Sequence, residues 1–247
     1  MSVTHVERAG GATTVLMCGL PASGKTTTAM RLHARLGGVL IRSCDVYQEL
    51  GIVLPEWVKR TAGFTANVTE YDRVRDSAYG EMARRAETSL AKGSPLIIID
   101  AVHGERAKRR RLYEICCAHR ATPILVCCIC ADFAEVQRRF RAREGQEAEP
   151  EREASDLSVF YDIRRRWETP LLDELPDGTR PGMVIYNTLN CSPAGIPGVG
   201  DSVLARIQAA LAADGEPVPR QNLIRLAQEH RDPSIRSQAQ DPEPGWR

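Results

Sequence analysis

Residues 19–26 of the chain read Gly19-Leu20-Pro21-Ala22-Ser23-Gly24-Lys25-Thr26, and Thr27 follows them. This segment matches the pattern G-x-x-x-x-G-K-[ST] in full and stands between an apolar run (TTVLMC) and a helical pattern (TTTAMRLHARL). Glycines let the backbone curl so that successive N–H groups face phosphate oxygens, and the helix that begins here adds partial positive charge. We therefore predict that residues 19–27 bind nucleotide phosphates. Lys25 would reach the terminal phosphates, and the Thr26 hydroxyl would hold Mg²⁺.

Short apolar runs alternate with longer helical patterns on both sides of this loop. The apolar runs are near-continuous, as in parallel strands covered on both faces, and they occupy residues 14–18, 38–43, 95–100, 124–130 and 183–186. The helical patterns occupy residues 25–36, 69–92, 105–119, 133–144, 155–168 and 201–213. This alternation predicts an α/β domain with a parallel five-stranded sheet flanked by helices, and the motif at residues 19–26 indicates a P-loop NTPase fold.

Two segments depart from the alternation. Residues 145–153 are acidic, contain Pro150 and predict a loop. Residues 214–247 hold five of the 15 prolines and predict a tail, with one short helix at 221–230 and a disordered end. We therefore expect one domain over residues 1–213, followed by a proline-rich tail.

Composition narrows the class of protein. The chain has 247 residues, of which 43% are hydrophobic and 26% charged, and this balance excludes a collagen, a coiled coil and a wholly disordered chain. No apolar run approaches the roughly 18 residues of a membrane helix, and the first residues show no signal-peptide pattern. The sequence therefore predicts a cytoplasmic protein without a membrane partner.

Charge and cysteine content exclude less. The 33 basic and 32 acidic residues leave a net charge of +1, which argues weakly against a long nucleic acid as the main partner. Cys127 and Cys130 form a C-x-x-C, but they lie inside an apolar run, where cysteine behaves as a small hydrophobe. We expect these thiols to pack in a strand rather than to bind metal.

The order of several segments resembles the P-loop kinases, an AAA-type ATP-binding kinase domain. It is most similar to the group that contains the polynucleotide 5′-kinase of phage, seryl-tRNA kinase and the zeta-toxin kinases. The resemblance runs from about residue 15 to residue 188, about seven-tenths of the chain. It is carried by GLPASGKTT (19–27), RSCDVYQEL (42–50), LAKGSPLIIIDAVHGERAKRRRL (90–112), EVQRRFRAR (135–143) and MVIYNT (183–188).

The resemblance implies an ATP- and Mg²⁺-dependent phosphotransferase with two functional carboxylates. Asp45 would accept the proton of the acceptor hydroxyl, although an Asp here could instead cap a helix over residues 46–50. Asp100 ends the run LIIID, as does the magnesium-binding acid of such proteins, although a solvated aspartate at a strand end is the alternative.

A helical lid over about residues 139–156 follows from the same resemblance. Arg139 and Arg143 are four residues apart and share one helix face. The resemblance places them at the base of the lid, where they would stabilise charge on the transferred phosphate. Residues 145–153 would be its tip.

The expected acceptor site is less well defined. Trp57, Arg60 and Tyr71 lie in the segment where such kinases build acceptor pockets, yet they could equally pack a helical subdomain. His103 and Arg109, which follow Asp100 in the chain, complete the candidate set. His103 could also be a surface residue.

Three functions stay open at this point. The near-zero net charge favours a kinase that phosphorylates a hydroxyl of a small molecule, such as a nucleoside, a sugar or an antibiotic-like compound. The arginine clusters keep open a kinase for an RNA or DNA 5′-hydroxyl or a tRNA-borne hydroxyl. A nucleotide-dependent regulatory ATPase is the third alternative, and it would leave Asp45 without a task.

Overall fold

The computed structural model describes residues 11–52, 68–144 and 157–212, together with Gln221 and Ile224. Among these residues, six strands form one sheet: β1 (Thr13–Cys18), β2 (Val39–Arg42), β3 (Leu96–Asp100), β4 (Thr122–Ile129), β5 (Gly182–Asn187) and β6 (Ser192–Ile196). Their order across the sheet is β2-β3-β1-β4-β5-β6, and the first five are parallel. The P-loop fold with a parallel five-stranded core is confirmed.

The sixth strand corrects the predicted sheet. β6 pairs antiparallel with β5 and forms one edge of the sheet. Its sequence, SPAGI, contains a proline and a glycine and has no continuous apolar run. Proline is tolerated on an edge strand because one side of that strand makes no ladder hydrogen bonds. This strand therefore carries little of the sequence pattern that revealed the other five.

Seven helices of the described ranges surround the sheet: α1 (Lys25–Leu36), α2 (Ser43–Glu49), α3 (Val68–Ala91), α4 (Arg106–Ala118), α5 (Phe133–Glu144), α6 (Leu157–Arg165) and α7 (Asp201–Ala212). A 3₁₀ turn (Pro170–Leu172) follows α6. The six predicted helical segments all form, and α2 begins earlier than the expected helix over residues 46–50. Gln221 and Ile224 are helical, and Ile224 packs against the core.

Side chains of successive strand residues enter two separate cores. Leu16 of β1 packs in one core with residues of α3 and α4, while Val15 and Met17 pack in the other with residues of α1 and α7. Both faces of the sheet are therefore covered, which explains why the strands read as continuous apolar runs. No helix in the described ranges is long and apolar enough to span a membrane.

A third apolar cluster connects the motif at residues 19–27 to α5 and α6. Leu20 and Ala22 of the loop pack with Phe140 of α5 and with Phe160 and Ile163 of α6. These contacts place α5 and α6 directly against the loop between β1 and α1. The site is therefore built where this loop meets the carboxyl ends of the neighbouring strands.

Candidate functional site

The phosphate-binding loop has the backbone that its glycines predict. Ala22 (φ 61°) and Gly24 (φ 86°) adopt left-handed conformations, and the Ser23 N–H donates to the Leu20 carbonyl at 3.1 Å. A Cβ on Gly19 would lie 2.4 Å from the Cys128 carbonyl oxygen, so only glycine fits there. The loop thus packs against the end of β4 while it curls around an open centre.

Lys25 and the start of α1 form the cationic side of this loop. The Lys25 ammonium donates to the Leu20 carbonyl at 2.9 Å, and the residue is 9% exposed. Gly24 occupies the N-cap position, and no side chain of the described residues caps the helix. The first turn of α1 holds no acidic residue. Its N–H groups and positive dipole end are therefore available to an anion.

Thr26 and Asp100 come together across the loop and the end of β3. Asp100 is 3% exposed and accepts a hydrogen bond from the exposed Thr26 hydroxyl. Burial raises the pKa of Asp100 above its ordinary value, while the Thr26 hydroxyl and the charges of Lys25 and Arg42 act in the opposite direction. A buried carboxylate next to a hydroxyl supplies the hard oxygen ligands that Mg²⁺ prefers.

These two residues fit a phosphate-bound magnesium ion better than a cage made by protein alone. Within the described ranges, no group of three or more His, Cys, Asp or Glu side chains could hold a metal. Mg²⁺ characteristically takes one or two protein oxygens and fills its other positions with water and phosphate oxygens. Thr26 and Asp100 are the residues that could hold it. The pair Cys127 and Cys130 is buried as expected of packing residues.

Asp45 lies just past the neighbouring strand. Arg42 at the end of β2 is the register partner of Asp100 on β3, and Asp45 follows in the first turn of α2. The N-cap position of α2 is Arg42, so the alternative of Asp45 as a helix cap is wrong. The Asp45 side chain is 45% exposed and lies 3.4 Å from the Arg42 guanidinium. It is therefore an accessible carboxylate beside the candidate metal site.

Arg139 of α5 contacts the loop directly. Its Nη1 donates to the Ala22 carbonyl at 3.0 Å and to the Thr188 hydroxyl at 3.1 Å, and its Nε donates to Glu135 at 2.7 Å. Thr188, just past β5, donates in turn to the Ser23 carbonyl at 2.8 Å. Arg139 thus braces the loop. The side chain of Arg143 lies outside the described part of the structure.

A cleft opens between α1, α5 and the end of β5. Its volume is about 430 Å³, and its lining includes Gly24, Thr27, Arg31, Arg139, Tyr186 and Thr188. This volume falls within the usual range for a small-molecule site. Because Gly24 and Thr27 belong to the phosphate-binding loop, the cleft is a continuous extension of that loop and can hold a base and a ribose.

The structure corrects the predictions for His103 and Arg109. His103 is fully buried, so the surface alternative is wrong. Arg109 is also fully buried, and its Nε and Nη2 donate to the Asp173 carboxylate at 2.6 Å and 2.9 Å. Tyr113 donates to the same carboxylate at 2.7 Å. Arg109 therefore belongs to a buried ion pair inside the domain and does not reach an acceptor.

Several expected acceptor-site residues lie outside the described ranges. These are Trp57 and Arg60, and also the side chain of Tyr71, whose backbone belongs to α3. The expected lid tip and most of the tail also lie outside them.

Reasoning from sequence alone did not single out Arg42, Thr188 or Asp173. Arg42 and Thr188 stand within motif segments, RSCDVYQEL and MVIYNT, whose partners become visible only in the fold. Asp173 carries no sequence signal, because its partner Arg109 is 64 residues away.

Comparison with known proteins agrees with this architecture. A sugar kinase from Janibacter sp., solved without ligand, superposes with a TM-score of 0.50 at 16% identity, over 82% of this chain and 94% of that one. A candidate kinase from Chloroflexus aurantiacus gives a TM-score of 0.49 at 22% identity, over 69% and 85% of the two chains. Chaetomium thermophilum Kti12, solved with ADP-AlF₃, gives a TM-score of 0.45 at 21% identity, over 64% and 81%.

No curated protein matches the chain in sequence. The likeness to the Janibacter structure is one of fold, and the predicted resemblance to the P-loop kinases is confirmed at that level. A family match covers residues 15–170, which is more than half of the chain and includes the loop, Asp45, Asp100 and Arg139. On this match, the chain belongs to the AAA domain family, in its P-loop kinase-like form.

Proposed function

We propose that this protein is an ATP- and Mg²⁺-dependent phosphotransferase that moves the γ-phosphate of ATP to a hydroxyl group of a small molecule. One observation carries the proposal. Three adjacent strands end at one edge of the sheet, with the phosphate-binding loop after β1, Asp100 at the end of β3 and Asp45 just past β2. Open parallel sheets bind ligands at the carboxyl ends of their strands.

The loop and the cleft would hold ATP. The N–H groups around Gly24 and the Lys25 ammonium would bind the β- and γ-phosphates, and Lys25 would exchange its bond to the Leu20 carbonyl for phosphate oxygens. The base and ribose would lie in the 430 Å³ cleft that continues from Gly24 and Thr27. Arg139, which is bonded to the Ala22 carbonyl, would keep the loop in its phosphate-binding shape.

Thr26 and Asp100 would hold the magnesium ion, which supplies neutralisation of charge on the phosphate oxygens. Asp100 is placed for this because its carboxyl group accepts from the Thr26 hydroxyl and lies near the cations Lys25 and Arg42.

Asp45 would act on the acceptor. Its carboxylate orients the acceptor hydroxyl and takes its proton as the acceptor oxygen forms a bond to the γ-phosphorus. The bond from that phosphorus to the β–γ bridging oxygen breaks, and ADP leaves with the electron pair. The 45% exposure of the side chain leaves room for a substrate hydroxyl, and the Arg42 guanidinium lies 3.4 Å from the carboxylate.

A labelling screen with [γ-³²P]ATP and Mg²⁺ tests the proposal. Nucleosides, sugars, aminoglycosides, tRNA and 5′-hydroxyl oligonucleotides serve as acceptors, in parallel with phosphate release in their absence. We expect label on a small molecule, lost in Lys25→Ala and kept in Lys92→Ala, since Lys92 is exposed beyond the end of α3.

Each other outcome favours an alternative. Label on tRNA or oligonucleotides alone would favour the nucleic-acid kinase. Lys25-dependent release of phosphate with no labelled acceptor would favour the regulatory ATPase.

A further inference from the structure

The loop between β3 and α4 is anchored at His103 by several hydrogen bonds. This residue is fully buried and has a left-handed backbone with φ 44°. Its carbonyl accepts from the Cys18 thiol at 3.4 Å and from Arg109 Nη1 at 2.8 Å, while its N–H donates to the Tyr79 hydroxyl at 3.3 Å. Its ring Nδ1 lies 2.7 Å from the Met17 carbonyl oxygen. One residue thus connects β1, α3 and α4.

The ring of His103 makes a directed hydrogen bond. A carbonyl oxygen can only accept, so Nδ1 must carry the proton and donate it to Met17. Nε2 is buried and has no hydrogen-bond partner among the described residues, so the bond to Met17 is the one that orients the ring. The ring edge also packs against Tyr79, with 5.5 Å between the ring centroids.

One residue before His103, the loop between β3 and α4 also bonds to the start of the phosphate-binding loop. The Gly19 N–H donates to the Val102 carbonyl at 3.2 Å. Val102 and His103 therefore contact Met17, Cys18 and Gly19, the residues that lead into the phosphate-binding loop. Asp100 stands two residues before Val102, so these bonds also fix the chain that carries the buried carboxylate.

A buried ion pair holds the guanidinium that donates to the His103 carbonyl. Arg109, which donates to the His103 carbonyl, is itself held by two hydrogen bonds to Asp173. Asp173 also accepts from Tyr113. The guanidinium cannot turn away from His103 without breaking a buried ion pair, and such a break is costly.

We propose that His103 is a positioning residue: it fastens the segment that follows Asp100 to the end of β1, and so fixes the Asp100 carboxylate relative to the Thr26 hydroxyl. This inference rests on the proposed function, because it concerns the two residues assigned there to magnesium. His103 does not touch the ion or the nucleotide. It acts through the backbone between Ala101 and its own carbonyl.

The left-handed backbone determines which substitutions are informative. His and Asn both tolerate this conformation, and glycine adopts it without strain. The Asn amide nitrogen lies at the same distance along the side chain as Nδ1, so His103→Asn can still donate to Met17. His103→Gly keeps the backbone conformation and removes the donor. His103→Gln fills the volume but carries its amide one carbon too far for that bond.

The experiment measures ADP binding by calorimetry, with Mg²⁺ and with EDTA, in the full-length chain. The ratio of the two affinities reports how well Thr26 and Asp100 hold the ion, whereas binding in EDTA reports the loop and Lys25. We expect His103→Gly to reduce this ratio about 10- to 100-fold, the usual effect of losing an outer partner of a metal site. ADP binding in EDTA should change less than about threefold. His103→Asn should restore most of the ratio. His119→Asn, at the partly exposed end of α4, is the matched control.

Thermal melting first establishes that each variant is folded at the assay temperature. If His103→Gly does not fold, His103→Gln carries the test with the same expected loss. A ratio as high as wild type in the folded variant that lacks the donor would overturn the inference alone. An equal loss in His103→Asn would also overturn it, because the bond to Met17 would then not be the cause. Wild-type protein that binds ADP no better with Mg²⁺ would overturn the inference and the proposed function together.

Discussion

Acidification should weaken the fold through His103. Burial is the main cause that lowers the pKa of His103 from its ordinary 6.5 to about 4, and the nearby cations Arg109, Lys108 and Lys25 act in the same direction. Between these two pH values the His103 ring is protonated in the unfolded chain but neutral in the folded chain. The stabilisation is therefore complete above pH 6.5 and is lost as the pH falls toward 4.

The pKa difference sets the magnitude. Each pKa unit corresponds to about 1.4 kcal/mol, so the full loss is about 3 kcal/mol, of which about 2 kcal/mol is reached at pH 5. This is a large fraction of the 5–15 kcal/mol that stabilises an ordinary domain. Asp100, whose pKa burial raises, acts in the opposite direction, so the His103 contribution is read from a difference between variants.

Urea unfolding between pH 7.5 and pH 5 measures this loss. Wild type should lose about 2 kcal/mol more unfolding free energy over this range than His103→Asn does. His119→Asn should lose as much as wild type. Equal pH dependence in wild type and His103→Asn would show that burial of His103 does not make the stability pH-dependent. It would mean that His103 takes up a proton in the folded state as easily as in the unfolded one.

Three further predictions concern the loop, the buried pair and the acceptor. Lys25→Ala should lower phosphate transfer by about 10²-fold or more, the usual effect of losing one group that stabilises charge in the transition state. The melting temperature of this variant should stay near that of wild type. Transfer at the wild-type rate would show that the loop has another role. Asp173→Ala should cost about 3–5 kcal/mol in urea unfolding because it leaves Arg109 charged and buried, whereas Glu114→Ala, which breaks an exposed pair with Arg110, should cost less than about 1 kcal/mol. The Michaelis constant for a small acceptor should change little with salt. A nucleic-acid acceptor with Z neutralised phosphates would instead give a plot of log binding constant against log salt concentration with a slope of about −0.9Z for duplex DNA or about −0.7Z for a single strand.

The central part of this fold could be predicted because its signals are local. Strands covered on both faces must be apolar at every position, so β1, β3 and β4 are visible as uninterrupted runs. The phosphate-binding loop is equally local, since its glycines, lysine and threonine lie within nine residues. By contrast, β6 lies at an edge and is stabilised by pairing with β5, which its five residues do not encode.

The parts of the site that escaped prediction depend on contacts between distant residues. The sequence indicates that His103 follows Asp100, but not that Tyr79, Cys18 and Arg109 surround it. Arg109 stands among several arginines, and only the fold distinguishes it from its exposed neighbour Arg110. A run of basic residues has the same appearance in the sequence whether one member is buried or all are solvated.

The proposed phosphotransfer depends on Asp45 as the general base, and the substitution Asp45→Asn removes that base. The amide keeps the shape of the side chain, and Asp45 does not cap α2, so the fold should be unaffected. ATP affinity by calorimetry and turnover under saturating acceptor are measured on one preparation, with Glu49→Gln of the same helix as the control. We expect ATP affinity within about twofold of wild type and turnover lower by roughly 10² to 10⁴, the usual contribution of a general base. Unchanged turnover would show that Asp45 is not the base and would favour the regulatory ATPase. Lost ATP binding would place Asp45 with Asp100 around the metal instead.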